Sequence, residues 1–337
     1  MRASSVSGKM GTECSSERKG FRVASRLGPA SLVQSAAIAR RYYLDGRSKV
    51  DIAEEFGLNR FKVARMLDHA RESGLIRIEI GHPGLVDVEL SARLQETFGL
   101  TRAVVVDTGD DNAETLRTQV GQFAADVLAE VIGPDDVLGI AWARSVGAMA
   151  KTLPRLPGVP VVQLTGAIAL PGSGDSSFDI VRDVARAAGG PAYVYYAPIV
   201  LPNAAAASAL RQQSDIARAF GQVPQVTKAV VGLGLCAPGG STLYDALSER
   251  DHAELRELGV CAEVCGVFLT ATGEPVRAEL TDRVIAVGAE DLRAMPDVLV
   301  VAYGTAKLPA ARAALRSGLI NGFVTHATFA RALLDES

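Results

Sequence analysis

A group of polar, basic and aromatic residues near the N-terminus has the types and spacing needed to contact DNA. If residues 60–73 form a helix, its first two turns present these side chains on a common face. In a major groove Arg recognises guanine, Asn can recognise adenine, and an apolar ring can meet the thymine methyl group. A Ser and a Lys just upstream suit contacts with backbone phosphates. The residues predicted to contact DNA are Ser48, Lys49, Asn59, Arg60, Phe61, Lys62 and Arg65.

A second group of residues follows predicted buried strands and suits an anionic ligand. In the segment 141–145, the N–H groups at a helix start, the Arg144 guanidinium and the Ser145 hydroxyl could hold a phosphate. Similar loops follow at 163–166, 232–234 and 304–307, and the last of them ends in a lysine. Each loop alone is what any parallel strand needs after it. Together they predict one shared ligand site.

No established enzyme motif accompanies these loops. The chain lacks the GxGxxG dinucleotide fingerprint, the GxxxxGK[ST] phosphate loop and the GxSxG nucleophile elbow. Its four cysteines and four histidines show no metal-ligand spacing, so we expect reduced thiols, no metal and no cofactor. The sequence predicts a protein that is not an enzyme. The alternative is a sugar-phosphate isomerase or deaminase with an added DNA-binding domain, in which Glu263, Lys307 and His326 supply acid–base groups.

The DNA-contacting residues require a compact helical domain to position them. Ser31 and Gln34 predict a capping box that begins a helix ending near residue 44. Ser48 is predicted to cap a second, short helix, and Asn59 a third that runs from 60 to 73. Gly57 lies where a helix-turn-helix needs a residue that tolerates positive φ. The predicted interior is formed by Ile52, Ala53, Phe56, Leu58, Val63 and Met66, and a strand at 76–80 could form a wing.

The ligand loops require alternating strands and helices. Short apolar strands are predicted at 103–106, 137–141, 159–164, 192–196, 229–235, 284–287 and 298–302. Helical patterns are predicted at 114–132, 145–153, 178–188, 204–220, 251–258, 308–316 and 327–334. This alternation is typical of a doubly wound α/β fold with a parallel sheet covered on both faces. Ligands of such sheets bind beyond the carboxyl ends of the strands.

Charge and length divide the chain. Residues 1–82 hold 15 Lys and Arg against 9 Asp and Glu, whereas residues 83–337 hold 20 against 29. We therefore expect a mobile tail at 1–30, a DNA-binding domain at 31–82, a linker helix at 83–100 and an effector-binding and oligomerisation domain at 101–337. The apolar stripe of the linker helix suits either bridging of the domains or pairing of subunits. No apolar run resembles a membrane span or a secretory signal, so a cytoplasmic location is expected.

These segments resemble the SorC family of bacterial transcriptional regulators, also called DeoR-like sugar-responsive regulators. The resemblance covers roughly residues 32–335. It is carried by YYLDGRSKVDIAEEFGLNRFKVARMLDHARESGLIRIEI, GIAWARSVGAMAKTL, VVQLTGAI, VGLGL, CAEVCGVFLTATGEPV and LVVAYGTAKLPAARAALRSGLINGFVTHATFARALL, which follow the family's order and spacing.

The resemblance implies a winged helix-turn-helix and a Rossmann-like domain of the sugar-phosphate isomerase and deaminase type. It also implies dimers or tetramers on pseudo-palindromic double-stranded DNA operators, and a sugar or sugar-phosphate effector. Arg144 and Ser145 match the phosphate loop, Gln163 a sugar-contacting position, Glu263 an acidic position and Lys307 the phosphate-pairing lysine. The full set of expected effector contacts is Arg144, Ser145, Gln163, Thr165, Gly166, Glu263, Gly304, Lys307 and His326.

Four residues depart from the family pattern. Ala143 and Tyr303 stand where glycines are common, and both add bulk near the expected ligand. His326 stands where an aspartate is common. Thr165 occupies a position at which one branch of the family has a Schiff-base lysine, so covalent capture of an aldehyde sugar there is excluded. An unusual effector, and one that is not phosphorylated, is compatible with these departures.

Overall fold

The computed structural model describes residues 28–76, 85–109, 112–168 and 177–335. The chain folds as two units, Met1–Gly81 and His82–Ser337. Most of the predicted tail, the first two residues of the predicted linker helix and all but the first residue of the predicted wing strand lie outside the described residues.

The N-terminal unit consists, in its described part, of three helices: α1 (Pro29–Tyr43), α2 (Lys49–Glu55) and α3 (Arg60–Glu72). The predicted caps of α2 and α3 are confirmed. The Ser48 hydroxyl accepts from the Asp51 N–H in a capping box, and the Asn59 side chain accepts from the Lys62 N–H. The prediction that Ser31 begins α1 is wrong, because the helix already starts at Pro29, whose fixed φ suits the first helical turn.

A small apolar core holds these helices together. Its fully buried members include Ile38, Ile52 and Val63, and the partly buried Phe56, Leu58 and Met66 pack against them. The turn between α2 and α3 places Gly57 at φ +62°, as predicted. The predicted interior is therefore confirmed, and α3 has its opposite face in solvent.

The C-terminal unit is built on a seven-stranded parallel sheet and a three-stranded antiparallel sheet. The parallel sheet has the order β1-β10-β9-β5-β2-β3-β4, and the smaller sheet has the order β6-β7-β8. The strands are β1 (Arg102–Val106), β2 (Leu138–Ile140), β3 (Val161–Gln163), β4 (Ala192–Tyr193), β5 (Lys228–Gly232), β6 (Gly234–Leu235), β7 (Val260–Val264), β8 (Val267–Thr270), β9 (Asp297–Val301) and β10 (Gly322–His326).

Helices connect these strands. They are α4 (Val88–Phe98), α5 (Ala113–Val131), α6 (Arg144–Thr152), α7 (Ser177–Ala188), α8 (Ala204–Arg211), α9 (Ser214–Phe220), α10 (Thr242–Asp245), α11 (Glu249–Glu257), α12 (Glu279–Arg283), α13 (Ala289–Ala294), α14 (Leu308–Arg316) and α15 (Ala327–Asp335). Short 3₁₀ turns lie at Val223–Gln225 and Thr305–Lys307. Among the described residues, no helix is long and apolar enough to cross a membrane.

Both faces of the parallel sheet are covered, because neighbouring strand residues pack into different cores. Val231 and Val300 belong to a core shared with α4, α14 and α15, whereas Val230 and Val301 pack with α5, α6 and α7. Side chains alternate across a strand, so these two cores lie on opposite faces. The prediction of an α/β fold with a parallel sheet covered on both faces is confirmed.

The structure corrects several predicted elements. Residues 284–287 form isolated bridges rather than a strand of the parallel sheet, since a short buried apolar run has no periodicity that distinguishes the two. The helix predicted at 204–220 breaks at an extended Gln213. The segment predicted as one strand at 229–235 is divided between β5 and β6.

Several elements were not predicted from the sequence, among them the short helices α10, α12 and α13. The β7–β8 hairpin turns through Cys265 and Gly266, both at positive φ, and this turn carries no Asn-Gly signal. The strand β10 was also missed. In the segment predicted as a linker helix, the structure has α4, whose Leu90 and Leu94 are buried in the core of the C-terminal unit.

Candidate DNA-contact surface and effector pocket

All seven residues predicted to contact DNA lie exposed on the N-terminal unit. The side-chain oxygens of Ser48 and Asn59 cap α2 and α3, so these two residues also fix the helix ends that present the other five. The opposite side of α3 is anchored by the buried Val63 and Leu67. The predicted residues are therefore exposed on, or at the capped starts of, the helices α2 and α3.

Two acidic groups of the N-terminal unit, Glu55 and Asp68, are paired with arginines of the same unit. Glu55 accepts from the Arg41 guanidinium at 2.9 Å and from the Arg47 guanidinium at 2.6 Å. Asp68 pairs with Arg71 one turn along α3. The Lys49 ammonium lies 5.4 Å from the centre of the Tyr42 ring. Among the described residues, no ion pair involves Arg60, Lys62 or Arg65, so these cations remain available to a partner.

The pocket of the C-terminal unit lies at the point where the sheet reverses its winding. From β2 the chain proceeds to β3 and β4 on one side, and then returns to β5 on the other side of β2. Such a reversal opens a crevice at the carboxyl ends of the two central strands. Here the loops after β2 and β5 line a pocket of about 450 Å³. The volume suits a small metabolite.

Three cations converge on this pocket. Arg144 begins α6, Lys307 follows β9, and Arg117 reaches in from α5. No side chain caps the start of α6, so its first N–H groups are available to an anion. Guanidinium, ammonium and free helix N–H groups are the donors that phosphates and carboxylates prefer.

Burial shapes the chemistry of Lys307. Its ammonium donates to the Leu233 carbonyl at 2.6 Å and lies 5.7 Å from the centre of the Tyr303 ring. Desolvation lowers the pKa of Lys307 to about 8; the Glu263 carboxylate opposes this shift and Arg144 adds to it. An anion bound beside this lysine would restore part of the stabilisation that burial removes.

An acidic and hydroxyl-rich group lies in the same pocket. Burial raises the pKa of Glu263, while hydrogen bonds from the Gly266 N–H and the Ser241 hydroxyl counteract it, together with the charge of Lys307. The carboxylate accepts those bonds at 2.6 Å and 3.2 Å. Thr242 adds another hydroxyl to the lining. A carboxylate held in this way can accept hydrogen bonds from the hydroxyls of a polyol.

Five of the predicted effector residues line the pocket: Arg144, Ser145, Thr165, Glu263 and Lys307. Two of these hydroxyls already have partners. The Ser145 hydroxyl donates to the Val301 carbonyl at 2.7 Å, and the Thr165 hydroxyl accepts from the Trp142 N–H at 3.0 Å. Each therefore fixes its loop and can offer its remaining hydrogen-bonding capacity to a ligand.

Four predicted effector residues do not line the pocket, and the structure gives them supporting roles. The Gln163 amide donates to the Thr165 and Tyr195 carbonyls at 2.9 and 3.1 Å, which braces two strand ends. At Gly166 a Cβ would lie 2.8 Å from the Ile199 Cα, so the position serves a close backbone approach. Gly304, at φ +85°, donates its N–H to the buried His326 imidazole at 3.1 Å.

Several lining residues were not predicted from the sequence, chiefly Arg117. This arginine lies in the long helix α5 and carries the spacing of an ordinary surface charge. Tyr303, identified only as a departure from the family pattern, also lines the pocket. Burial raises the pKa of its hydroxyl, and the positive charges of Arg117 and Arg144 counteract this rise. Ala143 also lines the pocket, and a Cβ on Gly232 would lie only 2.2 Å from the Ala143 Cβ. No local sequence motif indicates that Ala143 packs against Gly232.

The groups considered for enzyme chemistry are not all assembled. Glu263 and Lys307 share the pocket, whereas His326 is 1% exposed and lies outside its lining. Across the described ranges, no cluster of three or more His, Cys, Asp or Glu residues could hold a metal ion.

The chain matches known regulators over most of its length. Residues 83–335 match the family model described as "Putative sugar-binding domain". The transcriptional regulator LsrR of Klebsiella pneumoniae is 30% identical over 306 residues, covering 89% of this chain and 92% of that protein. The deoxyribonucleoside regulator of Bacillus subtilis is 26% identical over 306 residues, covering 90% of this chain and 97% of that protein.

The fold is also similar to a solved full-length structure. The sorbitol operon regulator SorC of Klebsiella pneumoniae superposes with a TM-score of 0.70 at 22% identity, covering 90% of this chain and 99% of that one. The curated relatives are transcriptional regulators and not enzymes, which confirms the prediction that this protein is not an enzyme. The chain belongs to the SorC/DeoR family of sugar-binding transcriptional regulators.

Proposed function

We propose that this protein is a DNA-binding regulator whose operator affinity is controlled by a small carbohydrate effector carrying a phosphate group. The observation that carries the proposal is the convergence of Arg117, Arg144 and Lys307 with the Glu263 carboxylate in one pocket. Cations suit the phosphate end of such a molecule, and the carboxylate suits its hydroxyls. Relatives include a deoxyribonucleoside regulator and a sorbitol operon regulator, which supports the carbohydrate class.

The DNA side of the proposal rests on the exposed face of α3. Its N-terminal residues would read base edges in the major groove, while Ser48 and Lys49 at the start of α2 would contact phosphates. We further propose that the protein acts as a homodimer or homotetramer, because two reading helices match a pseudo-palindromic operator.

Control by an effector requires differential binding. The effector shifts the protein between operator-binding and non-binding states only if it binds one state more tightly than the other. The same coupling then makes operator DNA change the affinity for the effector by an equal factor. The proposal needs no cofactor or metal.

A panel of pentose and hexose phosphates, with the unphosphorylated sugars as matched controls, tests this function. Thermal unfolding identifies a ligand, since one present at 100 times its Kd stabilises the unit by about 2.7 kcal/mol. Fluorescence anisotropy with selected operator DNA then measures coupling. We expect a phosphorylated sugar to stabilise the protein and to change its operator affinity. Turnover of a sugar phosphate, or no effect of any panel member on operator binding, would contradict the proposal.

A further inference from the structure

We propose that Arg60 and Phe61 together read a two-base-pair step in the operator: a guanine, contacted by the guanidinium, beside a base pair whose thymine methyl group contacts the ring. This inference rests on the proposed function, because it requires α3 to enter the major groove. It adds the chemical identity of the step that the start of α3 recognises.

The two side chains form one unit on the protein surface. The Arg60 guanidinium carbon lies 4.7 Å from the centre of the Phe61 ring, within the range of a cation–π contact. Arg41 and Arg71, in contrast, direct their guanidinium groups to carboxylates of the same unit. The described residues offer Arg60 no such carboxylate, so its N–H groups stay available to a partner. The ring restrains the guanidinium without using its hydrogen-bond donors.

The exposure of Phe61 indicates an apolar contact outside the unit. Its side chain is 66% exposed, whereas the apolar residues Val63 and Leu67 of the same helix are at most 2% exposed. Exposure of a large apolar ring to water is unfavourable, and Phe61 is not part of the apolar core of the unit. In the major groove the apolar group that meets such a ring is the thymine C5 methyl.

The spacing of the pair selects neighbouring base pairs. Consecutive base pairs are stacked about 3.4 Å apart, so a second-neighbour base lies about 7 Å away. The 4.7 Å between guanidinium and ring matches one step better than two. Arg forms a bidentate contact with O6 and N7 of guanine, and the ring touching that guanidinium is therefore placed over the adjacent pair.

Selection of binding sites from random duplex DNA by the full chain begins the test. We expect each half-site to contain a guanine next to an A·T pair. Phe61→Ala should lose the preference for that pair, and Arg60→Ala the preference for the guanine. Failure to enrich any sequence would overturn the proposed function itself. Enriched sites without this step, or variants that keep both preferences, would overturn only the present inference.

Removal of a single methyl group makes the test specific. Replacing the thymine by deoxyuridine keeps the base pairing and should weaken wild-type binding roughly fourfold, the factor that one buried methylene corresponds to. Phe61→Ala should bind both duplexes equally. Replacing the guanine by 7-deazaguanine removes N7 and should weaken the wild type but not Arg60→Ala. If the ring instead wedges between bases, wild-type binding will not depend on the methyl group, which would overturn the inference.

A matched variant controls for general effects of surface truncation. Val33, on α1, is 68% exposed, close to the value for Phe61. Val33→Ala should retain the deoxyuridine effect and both base preferences. Loss of either base preference in this control would show that truncating a side chain away from α3 is enough to abolish it. That result would overturn the assignment to Phe61.

Discussion

The two candidate sites of this molecule are built in opposite ways. On the N-terminal unit, the side chains lie exposed on one helix and are positioned by two caps and a small core. In the C-terminal unit, the pocket gathers side chains from α5, α6, β7 and the segment after β9, and Lys307 and Glu263 are largely removed from water. A surface that reads DNA needs accessible donors, whereas a pocket for a small anion gains strength from desolvation.

The largest expected effect is the loss of an anion contact in the pocket. Arg144→Ala should lower effector affinity by about 1.5–3 kcal/mol, the usual value of a hydrogen bond to a charged group. Isothermal titration with the effector identified from the sugar panel measures this loss. Arg155→Ala is the control, because Arg155 is exposed and lies outside the pocket lining. Operator affinity without effector should be unchanged in both variants; equal effector affinities would remove Arg144 from the site.

The close packing of Ala143 against Gly232 allows the contribution of loop packing to stability and effector binding to be tested. Gly232→Ala would place two Cβ atoms 2.2 Å apart, and overpacking of this kind costs about 1–3 kcal/mol. Ala143→Gly removes that contact; the nearest remaining atoms would then be 3.7 Å from the new Cβ. We therefore expect the double variant to recover most of the stability and effector binding lost by Gly232→Ala. Thermal unfolding and titration measure both, and a double variant no better than Gly232→Ala would contradict the packing explanation.

The titration of Lys307 allows a test of the pocket that has no equivalent among the exposed DNA-contact residues. With its pKa lowered to about 8, the ammonium is charged below that pH and loses its proton above it. An anionic effector binds the charged form, so its affinity should fall by about tenfold between pH 7 and pH 9. Burial of the charged ammonium destabilises the folded unit below pH 8. This destabilisation is lost as the pH rises toward 10.5, the ordinary pKa of a lysine. Lys307→Met should bind the effector more weakly at pH 7 and without this pH dependence; a pH profile identical to that of the wild type would exclude Lys307 as its source.

The smallest expected effect concerns a helix cap. Ser48→Ala should destabilise the N-terminal unit by about 1 kcal/mol, because the Asp51 N–H loses its acceptor. Amide hydrogen exchange in α2 and α3 reports this unit separately from the pocket. Ser31→Ala is the matched control, since Ser31 lies inside α1 and does not cap it. Equal protection in the two variants would contradict the cap assignment, and effector affinity should change in neither.

The difference between the exposed helical site and the pocket also explains how much of each could be predicted from the sequence. The N-terminal unit is determined locally: Ser48, Gly57 and Asn59 signal their turns and caps within a few residues, so its helices and exposed face could be predicted. The loops after β2, β3 and β9 could be predicted because parallel strands end at one edge of a sheet. Arg117 could not, since its place beside Tyr303 depends on how α5 packs on the sheet.

The predicted effector residues that lie outside the pocket lining show the limit more clearly. Gln163 and His326 have the chemistry of ligand contacts, but in the fold they bond to backbone groups of neighbouring loops. Residue type indicates which interactions a side chain can form, and only the packing decides whether a ligand or the protein itself is the partner.

The central claim is that an effector bound in the pocket of the C-terminal unit controls DNA binding by the N-terminal unit. The most direct measurement is operator affinity with and without saturating effector, for the wild type and for Arg144→Ala at the same effector concentration. We predict that the effector changes the wild-type affinity at least fivefold, the lower end of typical coupling, and changes that of the variant distinctly less. An effector that demonstrably occupies the wild-type pocket while operator affinity stays the same would contradict the account.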